Sequence, residues 1–142
     1  QKLVFIEGPI TPAFISESIE KHSTKTEIGA HSLFLGQVRA DEKSGQKVVA
    51  IEYTHYPEMA ERVMHEIREE TFSKFDLTCM HIYHSLGVVK SGEISLFVFT
   101  SSPHRKAAVD ACSFVVEEIK KKSPVWGKEI LEDQTYIWKS NN

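Results

Sequence analysis

The sequence has few cysteines, no long apolar run and no secretion signal. Its two cysteines, Cys79 and Cys112, form no CxxC pair and are too few for a disulfide scaffold, so we expect buried, reduced thiols in a reducing compartment. No apolar run approaches the roughly 18 residues of a membrane span. Residues 1–5 are too short for the apolar part of a signal peptide. These absences predict a cytoplasmic protein without a membrane segment.

Positive charge is also scarce. The chain carries 17 Lys and Arg residues against 20 Asp and Glu residues, a net charge of −3. Domains that bind nucleic acid usually have a large basic excess. We therefore expect no nucleic-acid partner, and any anion that binds must be held by a local cluster of cations.

The signatures of nucleotide, metal and serine-hydrolase sites are missing too. The sequence contains no P-loop, no GxGxxG, no GxSxG and no HExxH. Cys79, His81 and His84 are close in the chain, but on a strand residues 79 and 81 face one way and residue 84 faces the other. Neither a metal site nor a cofactor is therefore predicted.

The remaining composition is ordinary for a globular protein, with 41% hydrophobic and 26% charged residues among 142 positions, and it predicts one domain over residues 1–142. Alternating patterns predict strands at residues 2–7, 28–38, 47–56, 77–86 and 93–100, and an extended tail at 125–138. Helical spacing predicts helices at residues 12–23, 57–74 and 103–122, with a polar loop at 39–46. This order predicts an α+β fold, in which three helices pack on a largely antiparallel sheet.

The start of the third predicted helix combines a good cap with unfavourable charge. Ser102 suits the N-cap and Pro103 the first helical position, but His104, Arg105 and Lys106 then place cations where the helix dipole disfavours them. A bound phosphate would resolve this conflict, because backbone N–H groups and a guanidinium would converge on it. A solvated surface turn is the alternative.

A second basic stretch follows at the end of the same helix. Residues 120–122 and Lys128 place four lysines within nine residues, and residues 103–128 hold six Lys or Arg against three Asp or Glu. Lysines at a helix C-terminus also complement the dipole, so each one has a plain structural explanation. Arg39, between an apolar strand and a polar loop, is either a ligand contact or an exposed loop arginine.

Five motifs in order resemble one known family. They lie at residues 34–39, 52–60, 84–87, 101–105 and 120–129, and the Ser-Pro-His-Arg and Pro-Val-Trp segments are the most specific. Over residues 28–138 the chain is similar to the catalytic (large) subunit of molybdopterin synthase. The resemblance implies an α/β-hammerhead fold and a sulfurtransferase that needs no cofactor.

The resemblance also implies the partners and the substrate. The large subunit forms a homodimer, and each copy binds a small ubiquitin-like subunit to give a heterotetramer. The C-terminal Gly-Gly of the small subunit carries a thiocarboxylate. Its sulfur is inserted into cyclic pyranopterin monophosphate, a small-molecule pterin substrate, and two such transfers form the dithiolene of molybdopterin.

By the same resemblance, Lys120 and Lys128 are the expected catalytic residues. The expected substrate-binding residues are Gln37, Val38, Arg39, His104, Arg105, Lys120, Gly127, Lys128 and Glu129. His104 and Arg105 are expected to come from the neighbouring subunit. The family usually has a lysine directly after the tryptophan, where this chain has Gly127. Either Lys128 takes that role or a second lysine is not needed here.

A non-catalytic module that binds the C-terminal tail of a ubiquitin-like partner would need the same basic pocket. Lys120 separates the two functions, because an enzyme should lose turnover in Lys120→Ala while a pure binding module should lose only affinity. A phosphate-ester hydrolase fits poorly, since the sequence shows neither a metal site nor an obvious nucleophile.

Overall fold

The computed structural model describes residues 4–139 and contains three helices and eight strands within that range. The helices are α1 (Pro12–Lys21), α2 (Pro57–Lys74) and α3 (Arg105–Lys122). The strands are β1 (Phe5–Glu7), β2 (Ala30–Gln37), β3 (Glu42–Lys43), β4 (Gln46–His55), β5 (Cys79–Lys90), β6 (Ile94–Ser102), β7 (Val125–Leu131) and β8 (Tyr136–Trp138). The predicted α+β class, with three helices on a largely antiparallel sheet, is confirmed. The predicted start of the first strand, at residues 2 and 3, lies outside the described residues.

One sheet runs through the molecule in the order β2-β6-β5-β4-β7-β8, with β1 added beside β5 and β3 beside β4. All these pairings are antiparallel except that of β1 with β5. The first half of β5 pairs with β6 and its last four residues pair with β4. Gly87, with φ of +79°, lies between the two halves, where a side chain would be strained. β5 therefore joins two parts of the sheet.

The core fills both faces of this sheet. On one face α2 and α3 pack against β5 and β6; the buried residues there are Met64, Ile67, Met80, Ile82, Leu96, Val98, Cys112, Val115, Val116 and Ile119. On the other face α1 brings Ile15 against Phe97 and Phe99 of β6. The helical stripes predicted for α2 and α3 are the faces that pack on the sheet. Within residues 4–139 no helix has the length and apolar character needed to cross a membrane.

Capping residues set the helix starts. Thr11 accepts a hydrogen bond from the Phe14 amide at 3.1 Å, and Pro residues open α1 and α2 as predicted. The predicted start of α3 is wrong by two residues, because His104 and not Ser102 is the N-cap. The Ser102 hydroxyl accepts from the His104 amide at 3.1 Å, forming a local turn before the helix can begin.

One further prediction needs correction. Part of the polar loop at 39–46 is β3, which forms a small hairpin with β4 through Ser44 and Gly45, both at positive φ. The polar composition of this segment gave no strand signal. The tail predicted as extended contains β7 and β8, which pair as a second hairpin with Lys128 opposite Trp138.

Candidate functional site

A cleft of about 550 Å³ lies between the end of α3 and the sheet. The end of β2 with the residues after it, the C-terminal turn of α3, β7 and the segment after β8 line it, together with residues of β4, β5 and β6. Six of the nine predicted site residues line it: Gln37, Val38, Arg39, Lys120, Gly127 and Glu129. Three do not: His104, Arg105 and Lys128. The cleft therefore brings together predicted residues from the end of β2, the end of α3 and β7.

Lys120 is placed in the cleft by the packing of α3. Its neighbour Ile119 is buried in the core, which fixes the rotation of the last helical turn. Burial lowers the pKa of the Lys120 ammonium, and the positive charges of Lys139 and Arg39 lower that pKa further. Glu117 opposes the effect by raising the pKa. The net result is an amine that gives up its proton more easily than an ordinary lysine.

The other lysines of that turn have structural partners. Lys122 lies 2.7 Å from Glu118 and 3.8 Å from Glu70, and Lys121 lies 3.7 Å from Glu118. The hydrogen bond from Lys122 lowers the pKa of the Glu118 carboxyl. These ion pairs account for two of the three lysines as surface charges on the helix.

Arg39 reaches the cleft from a rigid support. Val38 before it is buried, and its amide donates to the Glu93 carbonyl at 2.9 Å. Arg39 itself is exposed and lies 3.2 Å from Asp41, a carboxylate that also lines the cleft. An exposed ion pair of this kind is weak, so an anionic ligand can compete for the guanidinium.

A buried histidine that the sequence analysis did not assign forms part of the cleft floor. His84 donates from Nδ1 to the Ser85 carbonyl at 2.8 Å, which leaves Nε2 as an acceptor. Burial lowers the pKa of His84 to about 4, and the charge of Lys120 contributes to that shift. The Tyr53 ring stands edge-on to it at 5.0 Å. His84 is therefore neutral near pH 7, and only its position in the motif at 84–87 marked it in the sequence.

Lys128 points away from the cleft. Alternation along β7 puts Gly127 and Glu129 on the cleft side and Lys128 on the other. There its ammonium lies 3.6 Å from Glu52 and 4.5 Å from the centre of the Tyr136 ring. The predicted transfer of the family lysine's role to Lys128 has no geometric support in this structure.

Lys139 occupies the space that Gly127 leaves open. Its amide donates to the Gly127 carbonyl at 2.8 Å, as the continuation of the β7–β8 hairpin. A Cβ at residue 127 would lie 3.5 Å from the Lys139 Cδ atom, and Lys139 lines the cleft. Sequence analysis missed this residue because only the register of the hairpin brings residue 139 beside residue 127.

His104 and Arg105 line a different pocket, of about 760 Å³, at the other end of α3. Gly29 closes that pocket against the turn before the helix, where an added Cβ would lie 2.1 Å from the Pro103 carbonyl oxygen. Lys106 is paired with Asp110 at 2.9 Å. Within one chain, the two basic regions predicted from the sequence do not meet.

Comparisons with known proteins agree with this fold. A family model described as MoaE protein matches residues 9–122. The molybdopterin synthase catalytic subunit of Pyrococcus abyssi is 38% identical over 119 residues, which cover 84% of this chain and 79% of that protein. The protein of the same name from Drosophila grimshawi is 42% identical over 115 residues, or 80% of this chain, which spans only 32% of the fly protein.

The structure of a molybdopterin synthase from Staphylococcus aureus superposes on this chain with a TM-score of 0.85. The two are 32% identical, and the match covers 99% of this chain and 98% of that one. The fold, the family model and the relatives of similar length all lead to one assignment: the chain belongs to the MoaE protein family.

Proposed function

We propose that the chain is the catalytic subunit of a molybdopterin synthase, a sulfurtransferase that converts cyclic pyranopterin monophosphate to molybdopterin. The observation that carries this proposal is the cleft that Lys120 shares with Arg39 and Lys139, whose charges lower its pKa. The names of the relatives from Pyrococcus abyssi and Staphylococcus aureus support the same activity. The reaction takes place in the cytoplasm.

The sulfur donor is the thiocarboxylated C-terminal Gly-Gly tail of a small ubiquitin-like subunit. Such a tail is anionic and lacks side chains at its end, so it can enter a narrow cleft and meet cations there. Arg39 and Lys139 offer those cations beside Lys120. The buried carboxylate of Glu129 keeps the cleft from being uniformly positive, which favours an extended, polar ligand over a bare anion.

The complete site is formed by two copies of the chain. His104 and Arg105 lie at the opposite end of α3 from Lys120, in a pocket of their own. In a homodimer the neighbouring copy supplies these residues to hold the substrate phosphate. Arginine suits that task because its guanidinium binds phosphate through two parallel hydrogen bonds. With one small subunit on each copy, the assembly is a heterotetramer.

Lys120 is the residue that moves protons or forms a transient bond during sulfur transfer. Its lowered pKa increases the fraction of neutral amine, the form that accepts a proton or attacks an electrophile. His84, kept neutral with Nε2 as an acceptor, lies in the same cleft and can accept a hydrogen bond from the substrate. The cations of Arg39 and Lys139 stabilise the anionic ligands.

The test is conversion of cyclic pyranopterin monophosphate by the purified chain with thiocarboxylated small subunit. Lys120→Ala should nearly abolish product formation while small-subunit affinity is retained. Lys121→Ala is the matched control, because Lys121 lies next along the helix and outside the cleft, where it pairs with Glu118. Wild-type turnover in Lys120→Ala would remove Lys120 from the mechanism. A wild-type chain that binds the tail but converts no substrate would instead be a tail-binding module.

A further inference from the structure

A cluster of nitrogen and sulfur donors lies on the face of the sheet that α1 covers, away from the cleft. Cys79 and His81 are two residues apart on β5 and face the same side as Phe99. His22 at the C-terminal cap of α1 lies over them. One ligand atom from each of His22, Cys79 and His81 lies within 4.8 Å of the other two. The sequence analysis predicted no such site, because it paired Cys79 and His81 with His84 and not with His22.

The orientation of His22 is fixed by the backbone. Its Nδ1 donates to the Ser18 carbonyl at 2.8 Å, and the ring is buried. In the neutral ring this leaves a lone pair on Nε2, directed at Nε2 of His81 at 3.0 Å. Histidines that bind metals commonly donate their other nitrogen to a carbonyl in this way. The N–N separation is close to the roughly 3.3 Å between two ligands of a tetrahedral zinc ion with Zn–N bonds of about 2.05 Å.

An aromatic ring also holds the two histidines in place. Phe99 lies beneath the pair, 4.9 Å from the His22 ring and 6.2 Å from the His81 ring. This apolar wall limits the motion of both imidazoles.

The sulfur of Cys79 is buried but attracts a cation. The Lys25 ammonium donates to its Sγ at 3.0 Å, and this contact is the main cause of the raised pKa of Lys25. Lys25 is itself exposed, in the loop that follows α1. Its side chain can swing into solvent when another cation takes its place, which gives an entry path to the sulfur.

We propose that His22, Cys79 and His81 bind a borderline transition-metal ion, of which Zn²⁺ fits the donor set best. Two imidazoles and one thiolate suit zinc better than the hard ions Mg²⁺ or Ca²⁺, which require oxygen ligands. Three protein ligands leave a fourth position for water on the Lys25 side. The metal would crosslink the C-terminal end of α1 to β5. It would take no part in the chemistry of the cleft.

Zinc binding to metal-free protein tests the proposal directly. Titration calorimetry should show one Zn²⁺ per chain, and Co²⁺ should give a thiolate charge-transfer band in the near ultraviolet. Cys79→Ser should remove that band, and Cys79→Ser and His81→Gln should each weaken binding by more than the 10–100-fold that loss of an outer partner costs. Cys112→Ala and His65→Gln are controls, since these residues lie on α3 and α2, outside the cluster.

Far-UV circular dichroism shows whether each variant is folded, and Zn²⁺ should raise the melting temperature of the wild type but not of His81→Gln. If Cys79→Ser fails to fold, His22→Gln and His81→Gln still decide the outcome. The proposal is overturned if the wild type binds no zinc at one equivalent. It is equally overturned if Cys79→Ser and His81→Gln bind zinc as tightly as the controls. In that case the pair is a histidine–histidine hydrogen bond only.

Discussion

Replacing Lys139 by alanine tests whether the cleft needs a second lysine beside Lys120. Removing one preorganised charged group from such a site typically lowers kcat by about 10²–10³-fold, and we expect a loss of that size for sulfur transfer. The charge of Lys139 lowers the pKa of Lys120. In Lys139→Ala that pKa should therefore rise, and the activity limb that follows Lys120 deprotonation should move to higher pH. Lys128→Ala is the control, because its ammonium faces Glu52 on the other side of β7.

The role of the second lysine can also be tested by moving it from position 139 to position 127. A Cβ at residue 127 would lie 3.0 Å from the Ile51 Cγ2 atom, so the methyl group must shift by a few tenths of an ångström. We expect Gly127→Lys to cost roughly 1–2 kcal/mol, since overpacking outweighs the smaller entropy gain from removing a glycine. In the Lys139→Ala background the lysine at 127 can enter the vacated space. The double variant should recover most of the lost activity.

The assay is formation of molybdopterin at saturating thiocarboxylated small subunit, across a pH series, with urea unfolding of each variant in parallel. Full activity in Lys139→Ala would refute the role of Lys139. A double variant as inactive as Lys139→Ala, although folded, would show that position 127 cannot replace position 139. A loss in Lys128→Ala equal to that in Lys139→Ala would show that charge near β7 matters and placement does not.

Four other outcomes follow from the structure. Arg105→Ala should weaken substrate binding by about 1.5–3 kcal/mol per lost hydrogen bond without changing the melting temperature, because the side chain is exposed. Mixing Arg105→Ala with Lys120→Ala, at a substrate concentration too low for Arg105→Ala alone to turn over, should restore about a quarter of wild-type activity if sites are shared across a two-fold dimer, and none if each chain is self-sufficient. Ile67→Ala should cost about 2–5 kcal/mol in urea unfolding, whereas Met59→Ala, on the exposed side of α2, should cost far less; equal losses would contradict the packing described. His84 has a pKa of about 4 when folded against 6.5 normally, so its stabilising contribution is present above pH 6.5 and is lost as pH falls toward 4, by about 3 kcal/mol. Unfolding free energies of His84→Gln should depend less on pH over that interval.

The local sequence pattern predicted the ends of a helix correctly where residues of that helix alone determine them. The bounds of α2 were predicted correctly, since Pro57 opens the helix and its apolar stripe is regular. The start of α3 was not, because the Ser102 hydroxyl bonds to the His104 backbone and delays the helix. Both Ser and Pro favour a helix start, and the pattern alone does not show which turn forms first.

The residues of the two sites also fall into those that the sequence could indicate and those that it could not. Lys120 and Arg39 stand at the ends of regular elements and within basic or polar stretches, and the resemblance to the family assigned them their roles. Lys139 could not be singled out, since the register of β7 against β8 is set by the turn between them and by packing beyond it. His22 could not be matched with Cys79 and His81 either, because their meeting depends on how α1 lies on the sheet.

The parallel pairing of β1 with β5 has a consequence for the order in which the chain folds. Phe5 is aligned with His84, and the His84 amide donates to the Val4 carbonyl at 2.8 Å. This contact closes a loop that contains α1, β2, β3, β4 and α2. Such distant pairings form late, because the chain entropy lost in closing the loop is recovered only when both strands are present. During synthesis, β1 therefore cannot pair until more than half of the chain has been made. Until β1 docks, the backbone of β5 beside His84 is open to other extended segments.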